Sequence, residues 1–126
     1  MQQIDDDRAD ARFHALSDRT RRDILRRVLV GEQSVSSLAR NYSMSLTAVQ
    51  KHVAVLERAG LLSRRRSGRE SLARGDADSV RSVAHLLTEL EAVWRERVSH
   101  IDDLLSAEAD TAPVDAAPAD SPHRKD

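Results

Sequence analysis

The sequence contains no cysteine among its 126 residues. Disulfides, thiolate metal sites, thiol nucleophiles and thiol redox sensing are therefore excluded at the outset. Aromatic residues are nearly as scarce at 2%, represented by Phe13, Tyr42 and Trp94 alone. So few rings argue against a sheet-built core, where aromatic and β-branched side chains carry most of the packing. No apolar run approaches the ~18 residues that a bilayer crossing needs. The first ten residues hold Asp5, Asp6, Asp7 and Asp10 in place of a basic leader, so the expectation is a cytoplasmic protein with no membrane partner. The length suits one small domain.

What is present is charge, 33% of the residues, and its distribution is uneven although the net value is only −1. Both ends are acidic: four aspartates stand against Arg8 in residues 1–10, and five acids stand against Arg124 and Lys125 in residues 106–126. The middle is basic. Residues 40–74 carry Arg40, Lys51, Arg58, Arg64, Arg65, Arg66, Arg69 and Arg74 against Glu57 and Glu70. Basic patches of this kind either solvate a face or collect an anionic partner, and position decides between the two.

Hydrophobic spacing predicts a mainly α fold. An amphipathic segment at about Ala9–Leu16 precedes a helix over Asp18–Val30, with Ser17 as N-cap, Ile24, Leu25, Val28 and Leu29 as its apolar stripe, and Gly31 as a left-handed stop. Ser34 opens a short helix with Val35, Leu38 and Ala39 on one face, and Tyr42-Ser43-Met44 reads as a tight turn. Ser45 caps the next helix, Leu46 to Ala59, in which Leu46, Val49, Val53 and Leu56 form the buried side and Gly60 ends the run. Two short helices joined by a tight turn form a helix-turn-helix, which presents its second helix to a DNA groove; an ordinary helical hairpin has the same local pattern.

The segment that follows shifts the balance towards DNA. Leu61-Leu62-Ser63-Arg64-Arg65, a turn at Arg66-Ser67-Gly68, and Arg69-Glu70-Ser71-Leu72 read as a β-hairpin with a basic tip and an apolar base of Leu61, Leu62 and Leu72. Such a wing is suited to gripping phosphates beside a groove. On the capped helix, Thr47, Lys51, Ala54 and Arg58 oppose the buried side, with Gln50 and His52 on the flanks. Gln50 has the amide geometry for adenine, Thr47 reaches a base or a thymine methyl, and Lys51 reaches guanine or phosphate. Ser45 and the adjacent amides suit a phosphate, and Ala48 completes the expected contacts. His52 either touches the DNA backbone or borders the core. Arg64, Arg65, Arg66 and Arg69 are the expected source of general phosphate affinity and minor-groove reach.

A long helix runs from Asp76 or Asp78 to about Leu105. Val80, Val83, Leu87, Leu90, Trp94, Ile101 and Leu104 recur along it at spacings of three and four, interrupted at Arg97, and Ala84, Leu86, Val93, Val98 and Leu105 widen the stripe. One side can dock on the body, and the exposed remainder is larger than a monomer usually tolerates, so pairing with a second copy is the expectation. After Ser106 the chain is rich in Ala, Asp, Ser and Pro and reads as a disordered acidic tail. The expected organisation is an acidic arm at 1–8, a winged helix-turn-helix domain with dimerisation helices at 9–105, and the tail at 106–126.

Three stretches, Phe13-His14-Ala15-Leu16-Ser17-Asp18-Arg19-Thr20-Arg21-Arg22, Met44 through Val53, and Leu56-Glu57-Arg58-Ala59-Gly60-Leu61, together with Trp94-Arg95-Glu96-Arg97-Val98, resemble the ArsR/SmtB-type winged-helix transcriptional regulators in their cysteine-free branch. The resemblance covers about residues 9–105. It implies a winged helix-turn-helix with a short β-hairpin wing and a long C-terminal dimerisation helix, acting as a homodimeric repressor on an inverted-repeat operator in double-stranded DNA. It places the dimer interface on the first and last helices, with Phe13, Leu87, Leu90, Trp94, Ile101 and Leu104 as its residues. The wing departs from the family pattern, because Glu70, Ser71, Ala73 and Gly75 stand where further basic, aromatic and apolar residues are usual. That departure implies a shorter or looser second wing strand.

Metal-sensing relatives place thiolates before the recognition helix, or His and carboxylate ligands on the last helix. Val35-Ser36-Ser37-Leu38 occupies the first location, and a serine pair holds no soft metal. On the last helix His85, His100, Asp102 and Asp103 are the candidates, but the two histidines lie about 22 Å apart along a helix and cannot share an ion within one subunit. The expectation is no metal, no cofactor and no enzyme, since none of His14, His52, His85, His100 and His123 sits in a catalytic signature. The alternatives are a His/Asp metal-sensing repressor assembled across a dimer, and a protein-interaction module that retains the winged-helix fold without specific DNA binding.

Overall fold

The protein's computed structural model describes residues 2–111, with side chains described for residues 6–108. The elements in chain order are α1 (Gln2–Ala15), α2 (Arg19–Val30), β1 (Gln33–Ser34), α3 (Val35–Ala39), α4 (Leu46–Arg58), β2 (Leu62–Ser67), β3 (Glu70–Gly75) and α5 (Ala77–Thr111). The chain divides into two compact units between Leu87 and Thr88.

In the first unit the predicted stripes meet in one core. Ile24 and Val28 of α2, Leu38 of α3, Val49, Val53 and Leu56 of α4, and Leu61 after it are almost completely withdrawn from water. Val35, Leu62 and Ala73 close the same cluster. Each buried aliphatic side chain adds about 1.5–3 kcal/mol, which compensates for the scarcity of rings. The apolar base of the wing differs from expectation in one position: Ala73 is fully buried, whereas Leu72 is only half-buried.

Local signals govern the helix ends, with two corrections. Asp18, not Ser17, caps α2, accepting from the Arg21 amide at 3.0 Å. Ser17 faces the other way and donates its hydroxyl to the His14 carbonyl at 2.6 Å, so it serves the end of α1. Gly31 is extended (φ −174, ψ 153) and not left-handed, because the chain must run directly into β1. At the end of α4 the left-handed stop does occur. Gly60 has φ +78, its amide bonds the Glu57 carbonyl at 2.9 Å, and the Leu61 amide bonds the Leu56 carbonyl at 3.0 Å. These paired bonds satisfy carbonyls that the helix end leaves open, and the positive φ favours glycine.

The sheet is antiparallel in the order β1-β3-β2. The second wing strand is neither short nor loose. β3 pairs with β2 from Leu62↔Gly75 to Ser67↔Glu70, and on its other side with β1 at Gln33↔Ala73 and Ser34↔Leu72. A central strand held on both edges does not need the missing aromatic. Gly75 has its own reason for being small, since a Cβ there would stand 2.6 Å from Leu29 Cδ2 and 3.0 Å from Leu29 Cα. β1 was absent from the sequence reading because two residues carry no alternation.

The helices at the two ends also outrun their expected limits. α1 begins at Gln2, which takes in most of the predicted acidic arm, and α5 continues to Thr111 across the start of the predicted tail. Neither extension contains proline or glycine, and lengthening an existing helix adds one hydrogen bond for each residue fixed. Residues 112–126 of the predicted tail lie outside the described residues.

In the second unit α5 presents Leu90, Val93, Trp94, Ile101, Leu104 and Leu105 to solvent, Trp94 at 62% exposure. In the first unit, by contrast, Val83 of the same helix is buried and Val80 packs on the core. Among the described residues, no helix is long and apolar enough to cross a membrane.

Candidate nucleic-acid interface

The turn before α4 is fixed by a buried-edge network. Tyr42 donates its hydroxyl to Asp23 Oδ2 at 2.6 Å, and Arg27 Nε donates to the same oxygen at 2.9 Å while its guanidinium carbon lies 5.9 Å over the Tyr42 ring. Burial, then the carboxylate partner, pushes the Tyr42 phenol up to about 12. The hydrogen bond from Tyr42, reinforced by Arg27, holds the Asp23 carboxyl below its usual value. Ser45 then caps α4, accepting from the Ala48 amide at 3.1 Å.

The far end of α4 is held by α1. Arg12 Nε donates to the Ala59 carbonyl at 3.2 Å, and its other nitrogens reach Ser82 Oγ at 3.2 Å and Ser79 Oγ at 3.5 Å. A cation at a helix C-terminus complements the dipole, so one side chain ties α1, α4 and the start of α5. Arg21 does the same for α1, donating to the Ala15 carbonyl at 2.7 Å and the His14 carbonyl at 3.1 Å. Sequence reading missed both arginines, which resemble ordinary solvated charges until the carbonyls they serve are known.

Between these anchors the outer face of α4 stays open. Thr47, Gln50, Lys51 and Arg58 are exposed, and Ala48 is half-buried. Leu46 is a correction: assigned to the buried side from spacing, it is 45% exposed, because the first helical position turns away from the core that Val49 and Val53 enter. His52 lies with its Nδ1 3.3 Å from Arg21 Nη1 and 3.9 Å from Asp18 Oδ2, at the start of α2. It therefore joins α4 to α2.

The wing arginines fall into two groups. Arg64 donates to Glu57 Oε1 from Nε at 2.9 Å and Nη2 at 2.7 Å. Arg65 forms a two-pronged pair with Glu32, Nε to Oε2 at 3.0 Å and Nη2 to Oε1 at 2.8 Å, which holds the Glu32 carboxyl below its usual value. Arg66, just before the two-residue turn, and Arg69, which follows Gly68 (φ +63) within it, are exposed and have no acidic partner among the described residues. Of the four arginines expected to supply general phosphate affinity, two are thus already neutralised within the subunit.

A capped helix with an open polar face, set behind a shorter helix and flanked by a basic hairpin, defines a winged helix-turn-helix DNA-binding domain. Comparison with known proteins agrees. Residues 16–65 match the model of a helix-turn-helix domain family. The chain is 33% identical over 101 residues to the HTH-type transcriptional regulator Rv2034 of Mycobacterium tuberculosis, covering 80% of this chain and 92% of that protein. Among solved structures it is similar to an ArsR-like transcriptional regulator from Rhodococcus sp. RHA1, with 33% identity, a TM-score of 0.68, and coverage of 77% and 92% of the two chains. It is also similar to a homodimeric winged helix-turn-helix DNA-binding domain from Mycobacterium bovis, with 27% identity, a TM-score of 0.57, and coverage of 68% and 80%. The chain belongs to the ArsR-type winged-helix transcriptional regulators.

Proposed function

We propose that this protein is a homodimeric transcriptional repressor that binds an inverted-repeat operator in the cytoplasm and does not respond to metal ions. The observation that carries the reading is the open face of α4, where Thr47, Gln50 and Lys51 project beyond a fully packed opposite face. Ser45 and the first-turn amides serve a phosphate, Gln50 and Thr47 read base edges, and Lys51 and Arg58 follow the groove wall. Arg66 and Arg69 supply the wing's phosphate contacts.

Dimerisation is supported by the apolar residues that α5 leaves in water, Leu87, Leu90, Trp94, Ile101 and Leu104; Phe13 of α1, the remaining expected interface residue, is half-buried. The similar domain from Mycobacterium bovis is itself homodimeric. Two copies of α4 related by a twofold axis match two half-sites about one helical turn apart. Independence from metal is supported by the lack of cysteine and by the distance between His85 and His100 along α5. The relatives are regulators, which supports a role without catalysis.

The test is a gel shift of the full chain with DNA from upstream of its own gene, run beside a shuffled duplex and repeated after chelation and with added zinc. Preferential binding of the upstream fragment, insensitive to both treatments, is expected. Equal retention of both duplexes contradicts operator recognition, and release by zinc contradicts independence from metal.

A further inference from the structure

Glu57 occupies the last turn of α4, and Arg64 sits two residues into β2; their pair crosses the Gly60 turn that separates the recognition helix from the wing. Both side chains are partly shielded, at 38% and 30% exposure. The carboxylate takes up Nε and Nη2, the same edge of the guanidinium that otherwise clamps a phosphate. Arg66, which follows Arg64 on the same face of the strand, has no such partner among the described residues. The wing therefore offers one arginine to DNA and withholds another beside it.

Resting on the DNA-binding reading above, we propose that Glu57 is a positioning residue that sets operator specificity: it withholds the Arg64 guanidinium from the phosphates of arbitrary duplex DNA and fixes β2 against the last turn of α4. Phosphates are alike on every sequence, so each arginine free to find one strengthens all complexes without discriminating among them. Freeing Arg64 therefore strengthens every complex, whereas losing the pinned wing weakens the operator complex alone, so the two effects offset each other on the operator and not on arbitrary DNA. A wing pinned to the recognition helix keeps the two DNA-facing elements at one spacing, which favours the single register the bases define. The Arg65–Glu32 pair provides an internal comparison, because Glu32 lies in the link between α2 and β1 and not on the recognition helix.

The experiment is equilibrium binding of the full-length dimer to an operator duplex, obtained by selection from random DNA, and to a shuffled duplex, across a salt series. For Glu57→Gln, affinity for the shuffled duplex is expected to rise about fivefold at low salt, with its salt dependence steeper by about 0.9 log units per subunit, while operator affinity changes less than about twofold. Glu32→Gln strengthens both duplexes alike. In the Glu57→Gln/Arg64→Gln double variant the steepening disappears, since no guanidinium is released. Arg64→Gln alone leaves the salt dependence on shuffled DNA at the wild-type value. It tests the idea even if Glu57→Gln folds poorly, because a slope shallower by about 0.9 per subunit means that Arg64 was on a phosphate all along. That result, a parallel gain on both duplexes in Glu57→Gln, or an equal loss of discrimination in Glu32→Gln overturns the inference. Failure of the wild type to bind either duplex at low salt removes the DNA-binding reading itself, and this inference with it.

Discussion

Tyr42 and Asp23, nineteen positions apart, are joined by a 2.6 Å hydrogen bond in which the phenol donates to the carboxylate. Through that bond the turn that launches the recognition helix is tied to α2, and Arg27 secures it by pairing with the same carboxylate. The angle at which α4 leaves the body therefore depends on a polar contact at the edge of the core.

This contact makes a titration measurable, because Tyr42 is the sole tyrosine. Burial and then the Asp23 carboxylate push its phenol from the ordinary 10.0 up to about 12. The stabilisation is complete below pH ~10 and is lost as the pH rises through the folded value. Absorbance of tyrosinate, followed beside far-UV circular dichroism, should show ionisation well above the ordinary range while the helices persist. Asp23→Asn should bring the midpoint back toward ~10. For Asp23 the sign is reversed: its value is lowered, so its contribution is present above about pH 4 and fades as acid titrates it. An ordinary phenol midpoint in the folded protein rules out the network.

Arg12→Ala should destabilise the first unit by about 1–2 kcal/mol, because the Ala59 carbonyl at the end of α4 loses its charged donor and two serines lose theirs. Arg12→Lys should recover only part, since a single ammonium cannot span the three acceptors that the planar guanidinium reaches. Urea unfolding midpoints decide the matter, and an unchanged midpoint for Arg12→Ala refutes the capping role.

Gly75→Ala should cost about 1–3 kcal/mol, the usual effect of forcing an extra carbon into a packed contact. Trimming the neighbour with Leu29→Ala should relieve part of that cost but not all, because the Leu29 Cα stands 3.0 Å from the added carbon. Thermal melts of the two single variants and the double variant form the cycle. Simple additivity argues that the two positions do not touch.

Gln50→Ala and Lys51→Ala should reduce discrimination between duplexes of different sequence, whereas Arg66→Ala and Arg69→Ala should weaken binding to all of them. Competition binding at fixed salt separates these two patterns, and identical behaviour from the helix and wing variants contradicts the division of roles. Leu90→Glu combined with Ile101→Glu should yield monomers in sedimentation, because two charges would face the apolar surface of a second copy.

Much of the candidate interface's geometry was legible from the sequence, since capping and helical spacing act over three or four residues. Ser45 at the start of α4, Gly60 after it, and the polar positions Thr47, Gln50 and Lys51 all follow from that short range. Leu46 was misplaced because the wheel gives every apolar residue near the stripe to the core, while burial at a first helical position depends on what lies across from it. The strength of β3 was also invisible. It comes from β1, which is recruited from beyond α3 and is too short to announce itself.

The class of the protein, the order of its helices and wing strands, and the open face of α4 follow from propensities, caps and apolar periodicity, which are local properties of the chain. Which charges are available depends on contacts made in space. Arg64, Arg65, Arg66 and Arg69 are equivalent as letters, but Glu57 and Glu32, brought in from α4 and from the link before β1, neutralise two of them and leave two open. An ion pair depends on the meeting of side chains in space within a few ångströms, and no reading of sequence spacing fixes that distance.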